Sequence, residues 1–308
     1  MSEIFELAVI GAGPSGMEAA ISAAEAGVKT VLIDNYPKAG GQYYRAIPRG
    51  FHIINKTKTE KEGEELSEAV NKLPITRFYN TLTWGVFKED DDKDWIVALY
   101  GKDAPKNIHA QKLILANGAV DMPMAFPGWT LPGVMTCGAA LIFSKHQRIA
   151  PGKRAIITGT GPLLLSAAAH LIEAGVEVVS VCETSRLFPK GMRYAITMLG
   201  QWDRLLEGAK YFSIMSRHHT PYKMGWSIIE AKGAEHVEEA VIAKVDDMGK
   251  PIQGTEQTIK VDTIVSGYGL SPNIEVANML GCELEFQYQR GGWVPKRDEN
   301  LQTSISGV

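Results

Sequence analysis

A glycine turn set between an apolar strand and an alanine-rich helix limits this chain to very few folds. The turn is Gly11-Ala-Gly13-Pro14-Ser15-Gly16. Residues 4–10, Ile-Phe-Glu-Leu-Ala-Val-Ile, are mainly apolar and end at its first glycine, as a buried parallel strand does. Residues 14–26 favour a helix, and Gly27 stops it. Val28 to Ile33 reads as a second strand, ending at Asp34 and Asn35. In such a β-α-β unit the first glycine permits the tight turn. The second lets a pyrophosphate approach the backbone, and the third lets helix and strand pack closely. The phosphates then meet free N–H groups at the positive end of the helix dipole. Asp34 stands where a carboxylate accepts from a ribose 2′-OH. The rival reading is a glycine-rich packing turn without a ligand. Four parts in register favour a nucleotide.

A second unit of the same kind begins at Arg154. A strand over 154–158 leads into Gly159-Thr-Gly161-Pro162, an apolar helix follows over 163–174, and Gly175 stops it. Val176 to Val181 is the next strand, ending near Glu183. Leu164 occupies the third glycine position. A side chain there pushes helix and strand apart or fills the space a phosphate would approach. Gly159, Gly161, Pro162 and Glu183 are the candidate contacts for NAD(P) or another adenine nucleotide, and Arg186 is a candidate for a phosphate. A retained fold with no ligand is the equal alternative.

Two such units predict an α/β protein with two Rossmann-like FAD/NAD(P)-binding domains, the second inserted into the first. We expect the first domain from residues 1–118 and 265–308, and the second from 119–264. The crossing after residue 118 is dense in Pro123, Pro127-Gly128 and Pro132-Gly133, with Trp129 as a candidate packing anchor. Residues 56–72 suit a charged surface helix. Residues 75–100 suit an antiparallel hairpin with Glu89-Asp-Asp-Asp-Lys-Asp94 at its tip, an acidic run that reads as a solvated turn rather than a metal site.

Composition narrows the partners. The formal net charge of −3 makes no electrostatic case for nucleic acid. The three cysteines, Cys137, Cys182 and Cys282, form no CxxC pair and read as buried small hydrophobes. No apolar run approaches the ~20 residues of a membrane span, and the N-terminus lacks the positive region of a signal peptide, so we expect a cytoplasmic protein. His218-His219, if on a strand, face opposite ways and cannot share a metal, so no metal site is expected.

FAD rather than NAD is favoured at the first turn by its place near the N-terminus and by Gly40-Gly41-Gln42, just past the second strand, where backbone must run close to the cofactor. Asn117-Gly118 ends a further strand at the cofactor's edge. This set resembles the two-dinucleotide-binding-domain flavoproteins, with Asn117 in place of the threonine of their Ala-Thr-Gly strand end. Tyr43, Tyr44 and Arg45 are candidates to line the flavin or to pack in the core.

Three longer phrases narrow the resemblance. They are Asp34-Asn-Tyr-Pro-Lys-Ala-Gly-Gly-Gln-Tyr-Tyr-Arg45, Phe126-Pro-Gly-Trp-Thr-Leu-Pro-Gly-Val-Met-Thr136 and Gly159-Thr-Gly-Pro-Leu-Leu-Leu165. Together they resemble the FAD-containing subunit of hydrogen cyanide synthase, opine oxidase and dye-linked proline or hydroxyproline dehydrogenases. The resemblance implies an oxidase or dehydrogenase of an amino acid or secondary amine. It implies a hetero-oligomer in which a second flavoprotein subunit meets the substrate, and it assigns no catalytic base. Leu164 is part of the resemblance. In that family the chain continues past a Thr-Ser-x-x-Gly-Val phrase to an Ala-x-Gly-Asp motif and a cysteine-rich region. Here Thr303-Ser-Ile-Ser-Gly-Val308 is the last phrase, so we expect a piece of a longer protein. The rival functions are an NAD(P)H-dependent flavoprotein reductase and a non-catalytic nucleotide-binding assembly subunit.

Overall fold

The computed structural model describes residues 4–45, 57–88, 94–186 and 202–308. In chain order it runs β1 (Ile4–Ile10), α1 (Pro14–Glu25), β2 (Thr30–Ile33), α2 (Lys58–Lys72), β3 (Thr76–Phe78), β4 (Leu82–Phe87), β5 (Trp95–Tyr100), β6 (Asn107–Leu115) and β7 (Ala119–Asp121). Next come β8 (Val134–Thr136), α3 (Cys137–Leu141), β9 (Arg154–Gly159), α4 (Leu163–Glu173), β10 (Glu177–Glu183), α5 (Trp202–Arg217), β11 (Tyr222–Met224), β12 (Trp226–Lys232), β13 (Glu239–Lys244), β14 (Gln257–Lys260) and β15 (Thr263–Gly267). The chain closes with β16 (Leu270–Pro272), α6 (Glu275–Met279), β17 (Leu284–Gln287) and β18 (Gly292–Pro295). It divides into two compact units, Met1–Val120 with Ser271–Val308, and Asp121–Leu270.

The first unit carries a six-stranded sheet in the order β3-β2-β1-β6-β5-β4. The first four strands are parallel, and β5 and β4 add on antiparallel. Alternate residues of β1 enter two apolar clusters. Phe5, Ala8 and Ile10 join Val31, Val97 and Val276. Leu7 and Val9 join Met17, Ala20 and Ile21 of α1 and Val70 of α2. Burial on both faces explains the nearly unbroken apolar run in the sequence. The helix expected over 56–72 is α2, opened by a capping box in which the Thr57 side chain accepts from the Glu60 amide and Glu60 reaches back to the Thr57 amide. The expected hairpin is β4–β5, and residues 89–93 of its acidic tip lie outside the described residues. The segment at 76–78 is instead a parallel strand beside β2.

The second unit has a five-stranded parallel sheet, β11-β10-β9-β15-β8, and a three-stranded antiparallel sheet, β12-β13-β14. Both units are therefore built on a Rossmann-like parallel sheet. The return crossing falls at 270/271 rather than 264/265, because β15 pairs in parallel with β9 and β8. Nothing in the apolar run of β15 declares which sheet it joins.

Three local expectations change. His218 and His219 stand in the turn that ends α5, not on a strand. The His218 amide donates to the Ile214 and Met215 carbonyls, and His219 takes φ 52°. Trp129 is 43% exposed, while Phe126 is the aromatic that enters the apolar cluster with Ile156 and Ile228. Leu164 is fully buried, packed with Cys137, Ala140 and Val265. Its side chain is turned into the core, where a Cβ on Gly267 would lie 3.0 Å from it.

Candidate functional site

The glycine turn of the first unit is held by close backbone contacts. A Cβ on Gly11 would fall 2.2 Å from the Ala116 carbonyl oxygen, and one on Gly16 would fall 1.8 Å from the Gly11 carbonyl oxygen. Both positions therefore exclude any side chain. Position 13 differs: its φ is −72°, and an added Cβ would meet nothing nearer than the Gly41 Cα at 3.9 Å. That opening is what a ligand's phosphates need.

Helix α1 starts at Pro14 with no side-chain cap on its first turn. Among the described residues, the amides of Gly13, Ser15 and Gly16 have no protein acceptor. Three donors at a helix N-terminus, with Pro14 needing none, form an anion cradle. The Gly40-Gly41 segment is laid against it. The Gly40 amide donates to the Ala12 carbonyl at 2.8 Å, and a Cβ on Gly41 would sit 2.7 Å from the Gly13 Cα. Asp34, 8% exposed, accepts from the Ala12 amide at 2.5 Å and from the Tyr36 amide at 2.7 Å. Each carboxylate oxygen keeps a further lone pair for a sugar hydroxyl.

Gln42 joins a polar cluster that sequence reading did not anticipate. Its amide donates to the Tyr36 hydroxyl at 2.7 Å, Arg45 donates to its carbonyl at 2.7 Å, and the Arg45 guanidinium lies 4.4 Å from the Tyr36 ring centre. Tyr44 packs against Gly63 of α2 and donates to Glu62. Asn35 borders a groove of about 440 Å³ with Asn80, Leu82, Tyr100, Gly101 and Lys102. Asn117 and Gly118 follow β6, and the Gly118 carbonyl accepts from the Asn273 amide.

The equivalent turn of the second unit is built differently. Gly161 takes φ +96°, and its amide donates to Glu183 Oε2 at 2.9 Å. The first turn of α4 is tightened, with the Leu164 amide donating to Gly161 and the Leu165 amide to Pro162. Tyr222 donates to Glu183 Oε2, and the Ser185 amide and hydroxyl donate to Oε1. Burial and the adjoining Glu183 push the Tyr222 phenol well above its ordinary range. Arg186 donates to the Val245 carbonyl at 2.6 Å and lies 3.9 Å from Asp247.

The cysteines are free and buried. Burial, with Asp121 adding to it, pushes the Cys137 thiol up to about 12, and burial pushes Cys182 to about 11. Among the described residues, no three His, Cys, Asp or Glu converge as a metal site, and no helix is long and apolar enough to cross a membrane.

The family model for pyridine nucleotide-disulphide oxidoreductase matches residues 5–207. The chain belongs to the pyridine nucleotide-disulphide oxidoreductase family. Among its curated relatives, an opine oxidase subunit of Agrobacterium tumefaciens (strain Ach5) is 29% identical, over all of this chain and 61% of its own length. Hydrogen cyanide synthase subunit HcnB of Pseudomonas protegens is 29% identical, over 90% of this chain and 59% of its own. The chain thus spans about three-fifths of the length of these relatives. Two solved structures share the fold. L-proline dehydrogenase from P. horikoshii has a TM-score of 0.65 at 23% identity, over 99% of this chain and 49% of that one. T. acidophilum thioredoxin reductase has a TM-score of 0.69 at 18% identity, over 99% and 88%. As a pyridine nucleotide-disulphide oxidoreductase family member, the chain has the fold and family of an FAD-dependent oxidoreductase, and the cradle at Gly13 fits the pyrophosphate of that cofactor.

Proposed function

We propose that this chain is the FAD-holding subunit of an amino-acid or secondary-amine dehydrogenase or oxidase, of the proline, opine or glycine type. The observation that carries the reading is the set of unfilled amides at Gly13, Ser15 and Gly16, framed by Gly40-Gly41 and Asp34. Gly11 and Gly16 hold the turn's shape, and Pro14 starts the helix without wasting a donor. Asp34 holds the ribose while its other bonds fix the turn. Asn35, Gln42, Asn117 and Gly118 border the dinucleotide. When bound, FAD would supply a carrier for the electrons that the second flavoprotein chain takes from the carbon beside the substrate nitrogen. This chain's residues position and charge-balance that carrier. No side chain here is assigned as the base that takes the amine proton, and we place that step on a second flavoprotein chain. The names of the relatives, which are subunits of larger enzymes, support a hetero-oligomer.

The test is the visible spectrum of the purified protein after incubation with FAD and desalting, followed by dye reduction with proline, glycine or an opine in the presence of the second flavoprotein chain. Retained flavin absorbance and amine-dependent dye bleaching are expected. A protein that never retains flavin sinks the reading and leaves a non-catalytic nucleotide-binding subunit of an assembly. Flavin bleaching by NADH alone would support a reductase instead.

A further inference from the structure

We propose that Glu183 is a built-in occupant of the second glycine turn, and that it bars pyridine nucleotides and other adenine nucleotides from the second unit. The two acidic residues stand at equivalent strand ends, yet they use their turns differently. Asp34 reaches the Ala12 amide and leaves the Gly13 amide open. Glu183 is one methylene longer and takes the Gly161 amide itself, the donor a pyrophosphate would need. Its remaining acceptor positions are filled by the Tyr222 hydroxyl at 3.1 Å and by the Ser185 amide and hydroxyl at 3.0 and 2.6 Å. A carboxylate has about four acceptor positions, so none is left for a ribose hydroxyl.

Glu183 is only 3% exposed, and its carboxylate already occupies the Gly161 amide that a phosphate would have to reach. A nucleotide entering the turn would meet like-charge repulsion and would have to break bonds to a charged group. That is the repulsive element by which a site rejects a ligand. The Gly161 amide points at the carboxylate. All of these groups lie in the second unit, so the proposal does not depend on the flavin reading of the first.

The test is titration of the full chain, with excess FAD present, by NADPH and NADH (nicotinamide fluorescence) and by ADP (calorimetry). No binding is expected at millimolar concentration in the wild-type protein. Glu183→Ala should then bind ADP and NADPH at least about 100-fold more tightly, the scale of two recovered hydrogen bonds to charged groups. Glu183→Gln keeps the side chain's shape without its charge and should show a smaller gain. Should Glu183→Ala fail to fold, the Gln variant decides. Wild-type binding at micromolar concentration overturns the proposal, as do folded Glu183 variants that gain nothing. Flavin absorbance, read in the same samples, reports on the first unit separately.

Discussion

Gly13 and Gly41 pass so closely that the tolerance of the two positions is unequal. A Cβ on Gly41 would lie 2.7 Å from the Gly13 Cα, whereas one on Gly13 would lie 3.9 Å from the Gly41 Cα. Gly13→Ala should therefore fold with little change in melting temperature and still lose flavin, because the methyl group stands where phosphate must approach. Gly16→Ala should fail at folding, since its Cβ collides with the Gly11 carbonyl. Thermal melts and flavin absorbance of both variants separate binding from folding. A Gly13→Ala protein that keeps its FAD would show that the phosphates lie elsewhere.

Asp34 has a structural duty besides its proposed one. Removing it by Asp34→Ala strips acceptors from two amides, and that of fully buried Ala12 cannot turn to water. The cost should be about 2–4 kcal/mol in flavin-free protein, measured by denaturant unfolding. A loss below about 0.5 kcal/mol would mean these amides find other partners.

His170 sets a pH dependence with a defined sign. Burial lowers its pKa, the Ser166 carbonyl at 2.8 Å opposes this, Lys145 and Lys210 lower it further, and Glu173 raises it. The folded protein therefore binds this proton less readily than the unfolded chain, whose histidine titrates near about 6.5. The contribution is full above that pH and is lost as pH falls through the folded value. The stability gap between wild type and His170→Gln should narrow between about pH 7.5 and about pH 5. A constant gap across melts in that range would show that His170 carries no such dependence.

Cys137 should be chemically inert. A buried thiol raised to about 12 offers almost no thiolate at neutral pH. Ellman's reagent should find no fast-reacting thiol in the folded protein and three in urea, one for each cysteine. Rapid labelling of Cys137 in the native state would contradict the burial described.

What the sequence made legible were features set by backbone sterics. Gly11, Gly16 and the stop at Gly27 are demanded by close approach or turn geometry, so residue identity declares them. The two-sided burial of β1 likewise shows in its unbroken apolar run. Features set by side-chain reach were not legible. Asp34 and Glu183 are both acidic residues at a strand end, yet they take different amides, those of Ala12 and Gly161. Tyr222 reaches Glu183 only because β11 lies beside β10, a pairing no local pattern encodes. Residues 257–267 supply β14 to an antiparallel sheet and β15 to a parallel one.

The first unit is written in two separated stretches of chain, and Val276, Ile305 and Val308 pack on the same apolar cluster as Phe5 and Ile10. The Leu113 amide donates to the carbonyl of Gly307. During vectorial synthesis the inserted unit emerges whole and is free to condense, while the glycine cradle waits, one sheet face bare, for residues 271–308 to leave the ribosome. Such distant pairings slow folding and lengthen the exposure of apolar surface. Nascent chains halted near residue 270 should therefore need chaperone cover at the sheet that carries the first glycine turn.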